Sequence, residues 1–169
     1  RFWDEIGRHW DRAGETRIVF GPAGVDITDQ VSQRRLDWAG VDAQCQTVID
    51  ANQNALLLPR IGMGAPAWWR DAHPDDVMVW DRGPQRHIDV VVASETYRRE
   101  SAERLAALIE HLESKFGDHI AGYHPCGQNT GEWFYQETWG PALNGYSEGS
   151  RQAWQQWLRA RYGNAEALR

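Results

Sequence analysis

The chemistry-bearing residues of this 169-residue chain are densest in one segment, GYHPCGQNTGEWFY, at Gly122–Tyr135. Glu132 lies there between Gly131 and Trp133, just after a predicted strand. A carboxylate beside aromatic rings is partly removed from water, which raises its pKa and suits it to protonate a leaving group. Glu132 is therefore a candidate general acid. The alternative is an exposed loop carboxylate without a catalytic role.

Other side chains in similar positions could bind a ligand beside this carboxylate. They follow predicted strands or lie in the loops after them: Arg60, Trp68, Trp69, His124, Asn129 and Trp133. Arg60 could supply a fixed cation, and a surface ion pair is its alternative role. Of the adjacent Trp68 and Trp69, we expect one to stack on a ligand and the other to pack in the core.

The first loop also contains residue types that bind metals, but they match no recognised ligand motif: His73, Asp75 and Asp76. The segment HPDD is equally typical of a helix cap and turn. The glycines of the two loops do not form the GxGxxG pattern of a dinucleotide site. We therefore expect neither a metal nor a cofactor.

Strand and helix signals alternate along the chain and position these residues. Strands are predicted at 16–20, 55–61 and 119–124, and helices at 36–52, 94–116 and 147–162. Pro59 indicates that the second ladder ends there, Ser94 and Ser147 are candidate N-caps, and Gly117 and Gly163 are expected just after helix ends. Long loops follow the second and third strands. This order predicts an α/β fold with a parallel sheet, in which sites form at the carboxyl ends of strands.

The apolar faces of the helices predict what they bury. Cys45 lies on the apolar stripe of the first helix and is expected in the core. The last helix is expected to turn four residues inward: Ala153, Trp154, Trp157 and Leu158. The ten tryptophans of the chain fit either a well-packed core or a cleft in which flat rings stack on sugars.

Composition excludes several classes of protein. The net charge of −6, without a basic stripe, is unlike a nucleic-acid binder. No apolar run approaches the roughly 20 residues of a membrane span. Two cysteines make neither a disulfide framework nor a zinc site. The segment Arg1–Trp10 lacks the apolar stretch of a signal peptide and does not begin with Met. We expect a truncated N-terminus, which leaves the compartment unknown, with the cytoplasm slightly favoured.

Three stretches, in this order over about residues 38–169, resemble clan A glycoside hydrolases: ALLLPRIGMGAPAWWRDAHPDD, HLESKFGDHIAGYHPCGQNTGEWFY and YSEGSRQAWQQWLRARYGNAEALR. The closest similarity is to family 42, the β-galactosidases, or to a divergent group near it. The matching pieces are Pro66-Ala67-Trp68, His73-Pro74-Asp75, Phe116-Gly117-Asp118-His119, Glu132, and Trp157-Leu158 with Tyr162-Gly163 and Ala167-Leu168. Where that family has Asn directly before its acid/base Glu, this chain has Gly131, with Asn129 three positions before Glu132.

The resemblance implies a partial (β/α)8 TIM barrel, with residues 1–169 a fragment of one catalytic domain, from about strand 2 or 3 to helix 4. It implies retaining hydrolysis of O-glycosidic bonds by a β-galactosidase-like enzyme. Glu132 would be the acid/base, and a nucleophilic Glu at the end of the seventh strand would lie outside this chain. We expect a glycoside or oligosaccharide substrate, no cofactor, and an inactive fragment in isolation; oligomer formation stays open.

Two alternatives remain. A non-catalytic carbohydrate-binding domain would use Trp68, Trp69 and Trp133 as stacking platforms and Glu132 as a hydrogen-bond acceptor, and it would need no second carboxylate. A structural α/β domain would bury its tryptophans and have no cleft at the strand ends.

Overall fold

The computed structural model of the protein describes residues 17–20, 25–26, 38–82, 89–129, 131–136 and 138–167. The segment Arg1–Trp10 and residue Leu168, used in the sequence interpretation, lie outside these ranges. The chain forms two compact units, residues 1–62 with 105–126 and residues 63–104 with 127–169. None of the described helices is long and apolar enough to cross a membrane.

The elements alternate between strand and helix, with 3-10 turns at Pro74–Asp76 and Gly117–His119. In chain order they are β1 (Arg17–Phe20), β2 (Val25–Asp26), α1 (Ala39–Ala51), β3 (Ala55–Leu58), β4 (Arg60–Gly62), α2 (Ala67–Ala72), α3 (Glu95–Phe116), β5 (His124–Cys126) and α4 (Glu148–Tyr162). The first predicted strand is confirmed, α1 is shorter than predicted, and the loop after β4 contains the short helix α2.

Among the described strands, every ladder is parallel, which confirms the predicted α/β pattern. In the first unit β1 pairs with β3, and β4 lies between β2 and β5. Strands enclosed in a parallel sheet are apolar, and Ala55, Leu57 and Ile61 are accordingly buried.

Pro59 divides the predicted strand 55–61 into two strands with different neighbours. The ladder with β1 ends at Leu58, as predicted, because proline has no N–H to donate. The prediction of a single strand is nevertheless wrong, since the backbone resumes as β4 between β2 and β5. The Pro59 carbonyl still takes part in the sheet, because it accepts a hydrogen bond from the His124 N–H at 2.9 Å.

The predicted strand 119–124 is also wrong in its position. Residues 117–119 form a 3-10 turn, so Gly117 continues the chain in this turn and does not adopt the left-handed conformation of a helix-ending glycine. Ile120 makes an isolated parallel bridge to Leu57, and the ladder itself begins only at His124. Between these points the chain bulges at Gly122, where an added Cβ would lie 3.3 Å from the Leu58 side chain.

Helices α1 and α3 are joined within the first unit by a charged cluster. Asp42 of α1 contacts Nε2 of His111 and Nζ of Lys115, each at 2.6 Å. Burial acts to raise the pKa of Asp42, but the hydrogen bonds from Lys115 and His111 outweigh it and hold this pKa below its usual value. Cys45 is buried on the adjacent stripe of α1, as predicted.

The second unit is built around two buried clusters. One contains Ala65, Trp69, Val90 and Tyr97, and the other contains Met78, Trp80 and Val91. Both predicted N-caps are confirmed. The Ser94 hydroxyl accepts the N–H of Tyr97 at 3.0 Å, and the Ser147 hydroxyl accepts that of Ser150 at 3.1 Å.

Helix α4 contacts its unit through its first turn. Gly149 is buried against the 3-10 turn Pro74–Asp76, and the helix ends at Gly163 with φ 74°, as predicted. The prediction that Trp154 and Trp157 face inward is wrong. Both rings are at least half exposed and stack on each other with centroids 5.0 Å apart. Apolar residues do recur on one face of α4. The helix contacts its unit through its first turn, however, and the two tryptophans further along this face stay exposed.

Candidate active site

The two loops that carry the candidate residues start side by side. Gly62 ends β4, Cys126 ends β5, and these two residues pair in register. The loops therefore leave from the carboxyl ends of neighbouring parallel strands, as predicted, which is where α/β folds place their sites.

Arg60 and His124 are brought together in the first unit. They occupy paired positions on β4 and β5, so their side chains leave the same face of the sheet. Arg60 is half-buried and His124 is exposed. A cation and an imidazole are thus presented two residues before the point at which each loop begins.

Glu132 lies in a tight loop of the second unit that is closed by its own backbone. The N–H of Asn129 donates to the carbonyl of Phe134 at 3.0 Å, and the two residues form an antiparallel bridge. Inside this bridge the Glu132 N–H donates to the Asn129 carbonyl at 3.2 Å, and the Trp133 N–H donates to the Gly127 carbonyl at 3.0 Å. Asn129, Glu132 and Trp133 therefore share one fixed turn.

The backbone of this turn is strained on both sides of Glu132. In the described part of the chain, the non-glycine residues with left-handed backbone are Gln128 (φ 60°) and Trp133 (φ 63°). Such conformations cost on the order of 1–3 kcal/mol each and cluster at functional sites. Gln128 is also anchored, because its Nε2 donates to the Val90 carbonyl at 3.0 Å. Its buried Oε1 has no hydrogen-bond partner among the described residues.

The Trp133 ring lies against the backbone of Gly127. A Cβ at Gly127 would lie 3.0 Å from that ring, so a larger residue there would require the ring to shift. Because the ring covers Gly127, the expected removal of Glu132 from water is not seen: Glu132 is exposed, and Trp133 keeps nearly half of its surface exposed.

One tryptophan of the pair packs in the core, as predicted. Trp69 is 1% exposed and packs on Tyr97 and His73, and its Nε1–H donates to Glu100 at 2.8 Å. Direct stacking of a ligand on Trp69 would require this core to open. Trp68 is 38% exposed, so it is the ring of the pair that is accessible to a ligand.

One side of the Trp68 ring is occupied by Arg104. The guanidinium lies 5.7 Å from the ring centroid, in the range of a cation–π contact, and also 3.7 Å from Glu100. Glu100 thus links the buried tryptophan to the cation that covers its exposed neighbour. Arg104 was not recognised from the sequence, because nothing in the local pattern signals a contact 36 positions away.

A half-buried carboxylate, Asp89, was also missed. Asp89 accepts the N–H of Val90 at 2.7 Å, and burial raises its pKa against the opposing influences of that N–H and of Arg70. Its Oδ1 lies 4.0 Å from the position of a Cβ at Gly64, which is in the loop that follows β4.

Gln128 could have been identified as a candidate from its place between Gly127 and Asn129, but its left-handed backbone conformation could not have been predicted.

In the first loop, His73 and Asp76 are of residue types that can bind metals, but both pack against other residues of their unit. His73 stacks on Trp69 with centroids 4.3 Å apart, and Asp76 lies against Gly149. Within the described ranges, no three His, Cys, Asp or Glu side chains converge on a possible metal position.

The whole candidate set is thus divided between the two units, with Arg60 and His124 in the first and Trp68, Trp69, Asn129, Glu132 and Trp133 in the second. A family model described as beta-galactosidase, for glycoside hydrolase family 42, matches residues 32–169. The chain belongs to glycoside hydrolase family 42. The match includes every residue of the candidate set. A search of curated proteins found no match to the chain.

Proposed function

We propose that this family 42 chain acts in the retaining hydrolysis of O-glycosidic bonds, with Glu132 as the general acid and base. The observation that carries the proposal is the placement of Glu132 in a strained, backbone-closed turn that follows β5, inside the family match. A carboxylate on a backbone held in this way suits proton transfer to a bound glycoside, because the donor must lie within hydrogen-bond reach of the leaving oxygen.

In the first step Glu132 protonates the glycosidic oxygen while a second carboxylate attacks the anomeric carbon. In the second step Glu132 removes a proton from the water that releases the sugar. We place the nucleophile outside residues 1–169, at the end of a later strand, with the two carboxyl groups about 5–5.5 Å apart.

The fold proposed for this mechanism is a (β/α)8 barrel, of which these residues form part of the single catalytic domain. Support comes from parallel strands that are ordered along the sheet as they are along the chain and from loops that leave their carboxyl ends. The substrate is proposed to be a β-galactoside. Within the second unit, the exposed ring of Trp68 and the Asn129 amide are the groups proposed to contact its sugar. Within the first unit, the Arg60–His124 pair is proposed separately as a polar group for substrate binding.

Glu132→Gln tests the proposal, because it keeps the shape of the side chain and removes its acidity. In the purified protein that includes the nucleophile, we expect turnover of an unactivated β-galactoside to fall about 10²–10⁴-fold. The loss should be smaller with an activated aryl glycoside, and azide should restore turnover of that substrate because it attacks without a general base.

Glu110→Gln is the matched control, since Glu110 is an exposed carboxylate on α3. It should leave both substrates unaffected. Full activity of Glu132→Gln on the unactivated glycoside would show that another group is the acid. Retained sugar binding without any turnover by the unaltered protein would favour a carbohydrate-binding domain.

A further inference from the structure

An exposed aromatic pair lies on the same loop as Glu132. Phe134 is 51% and Trp139 is 71% exposed. Their rings meet edge to face with centroids 6.5 Å apart, a favourable arrangement for two aromatic side chains. The intervening residue Tyr135 packs against the buried cluster of Met78, Trp80 and Val91. The two rings are therefore presented outward beside a residue that is anchored in the core.

The backbone that carries these rings is held in place on both sides. Phe134 is fixed by its bridge to Asn129. On the other side of Trp139, the Pro141 carbonyl accepts hydrogen bonds from Arg82 Nε at 3.1 Å and Nη2 at 2.6 Å. Leu143 exchanges hydrogen bonds with Asp81, at 2.9 Å through its carbonyl and 2.7 Å through its N–H. The exposure of the rings thus results from an anchored backbone.

The position of the pair relative to Glu132 defines what it could touch. Phe134 follows Glu132 by two residues, so their Cα atoms are at most about 7.6 Å apart. A general acid contacts the glycosidic oxygen, and the group that departs with this oxygen is therefore adjacent to the acid. A flat leaving group would lie within reach of a ring two residues away.

We propose that Phe134 and Trp139 form a leaving-group subsite, which stacks on the flat apolar face of a pyranose or aryl group. This inference rests on the proposed role of Glu132. It assigns these rings to the group that leaves, whereas Trp68 is assigned to the sugar that is transferred.

The test compares three β-galactosides whose leaving groups are methyl, p-nitrophenyl and glucose. Phe134→Ala and Trp139→Ala should each lower kcat/KM about 2- to 10-fold for the aryl and disaccharide substrates, the range expected for one aromatic contact. The methyl galactoside should be unaffected, because its leaving group has no face to stack. The loss should be mainly an increase in KM for the disaccharide, and Trp139→Phe should retain most of the activity.

Trp157→Ala is the matched control, because it removes a similarly exposed ring from α4. This variant should affect kcat/KM equally for all three substrates. Equal losses on the three substrates for Phe134→Ala and Trp139→Ala would overturn the subsite, as would the absence of any loss. A change of oligomeric state in size-exclusion chromatography, with equal losses, would instead assign the rings to a contact between copies.

The two proposals fail in different ways. If Glu132→Gln leaves hydrolysis intact while the ring variants still discriminate between leaving groups, Glu132 is not the acid and the subsite stands. If Glu132→Gln behaves as expected and the ring variants do not discriminate between leaving groups, the assignment of Glu132 as the acid stands and the subsite is wrong.

Discussion

Two glycines occupy equivalent positions in two helices and should respond oppositely to the same substitution. Gly40 is the second residue of α1, and Gly149 is the second residue of α4. Among the described residues, a Cβ at Gly40 meets nothing within 4 Å. A Cβ at Gly149 would lie 2.6 Å from Oδ1 of Asp76 and 3.2 Å from the carbonyl oxygen of Asp75.

The magnitudes follow from these surroundings. Replacing glycine by alanine without strain stabilises a protein by about 0.4–1 kcal/mol, because the unfolded chain loses freedom. We expect this gain for Gly40→Ala. At Gly149 the overlap costs about 1–3 kcal/mol, which exceeds the gain, so the free energy of unfolding should fall by about 1–2 kcal/mol. For a chain of this size each kcal/mol corresponds to about 2–4 °C in Tm.

Urea unfolding followed by circular dichroism measures both changes. Asp76→Ala introduced together with Gly149→Ala should recover part of the loss, since it removes the atom at 2.6 Å but leaves the Asp75 carbonyl in place. If Gly149→Ala stabilises the protein as much as Gly40→Ala does, then α4 does not rest on the 3-10 turn as described.

Three further substitutions or measurements test the surroundings of the site. Asp42→Asn should destabilise the protein at pH 7. The difference from wild type should vanish in acid, because a carboxylate with a lowered pKa stabilises above its usual value of 3.8 and loses this effect as the pH falls through the lowered pKa; urea midpoints between pH 7 and 2 check this. Cys45 should react slowly with a thiol reagent at pH 8 until urea is added, because burial and then the nearby Asp42 raise its pKa, and rapid native labelling would contradict its burial. Trp69→Ala should cost about 3–5 kcal/mol of stability, whereas Trp68→Ala should cost less than about 1 kcal/mol and act on substrate binding; equal unfolding free energies for the two variants would refute this division.

The elements that depend on local interactions could be predicted from the sequence. Ser94 and Ser147 begin helices because a hydroxyl satisfies N–H groups two or three residues later, and that interaction needs no distant partner. The burial of Cys45 also followed from apolar periodicity, whereas the pattern did not indicate which tryptophan of the pair would be buried. The loops after β4 and β5 were placed correctly because parallel strands put their carboxyl ends together.

The parts that depend on distant residues could not be predicted. The start of β5 at His124 depends on pairing with Arg60, far away in the chain. The exposure of Trp154 depends on which atoms cover α4, which a helical period does not specify. Within the candidate site, the left-handed backbone of Gln128 and Trp133 could not be anticipated, because few non-glycine residues adopt it.

The break at Pro59 separates the ladder of β1 and β3 from the ladders of β2, β4 and β5. Phe20 and Val25 are five positions apart, whereas their partners Leu58 and Ile61 are three apart. On the other side, the chain carries one additional residue, because Ile120 and His124 are four positions apart and pair with residues three apart.

An insertion inside a regular strand reverses the faces of all residues beyond it. Here an insertion or deletion beside Pro59 can be absorbed locally, and Gly62 and Cys126 remain paired. A change in chain length at Pro59 would therefore leave the starting points of both candidate loops in place.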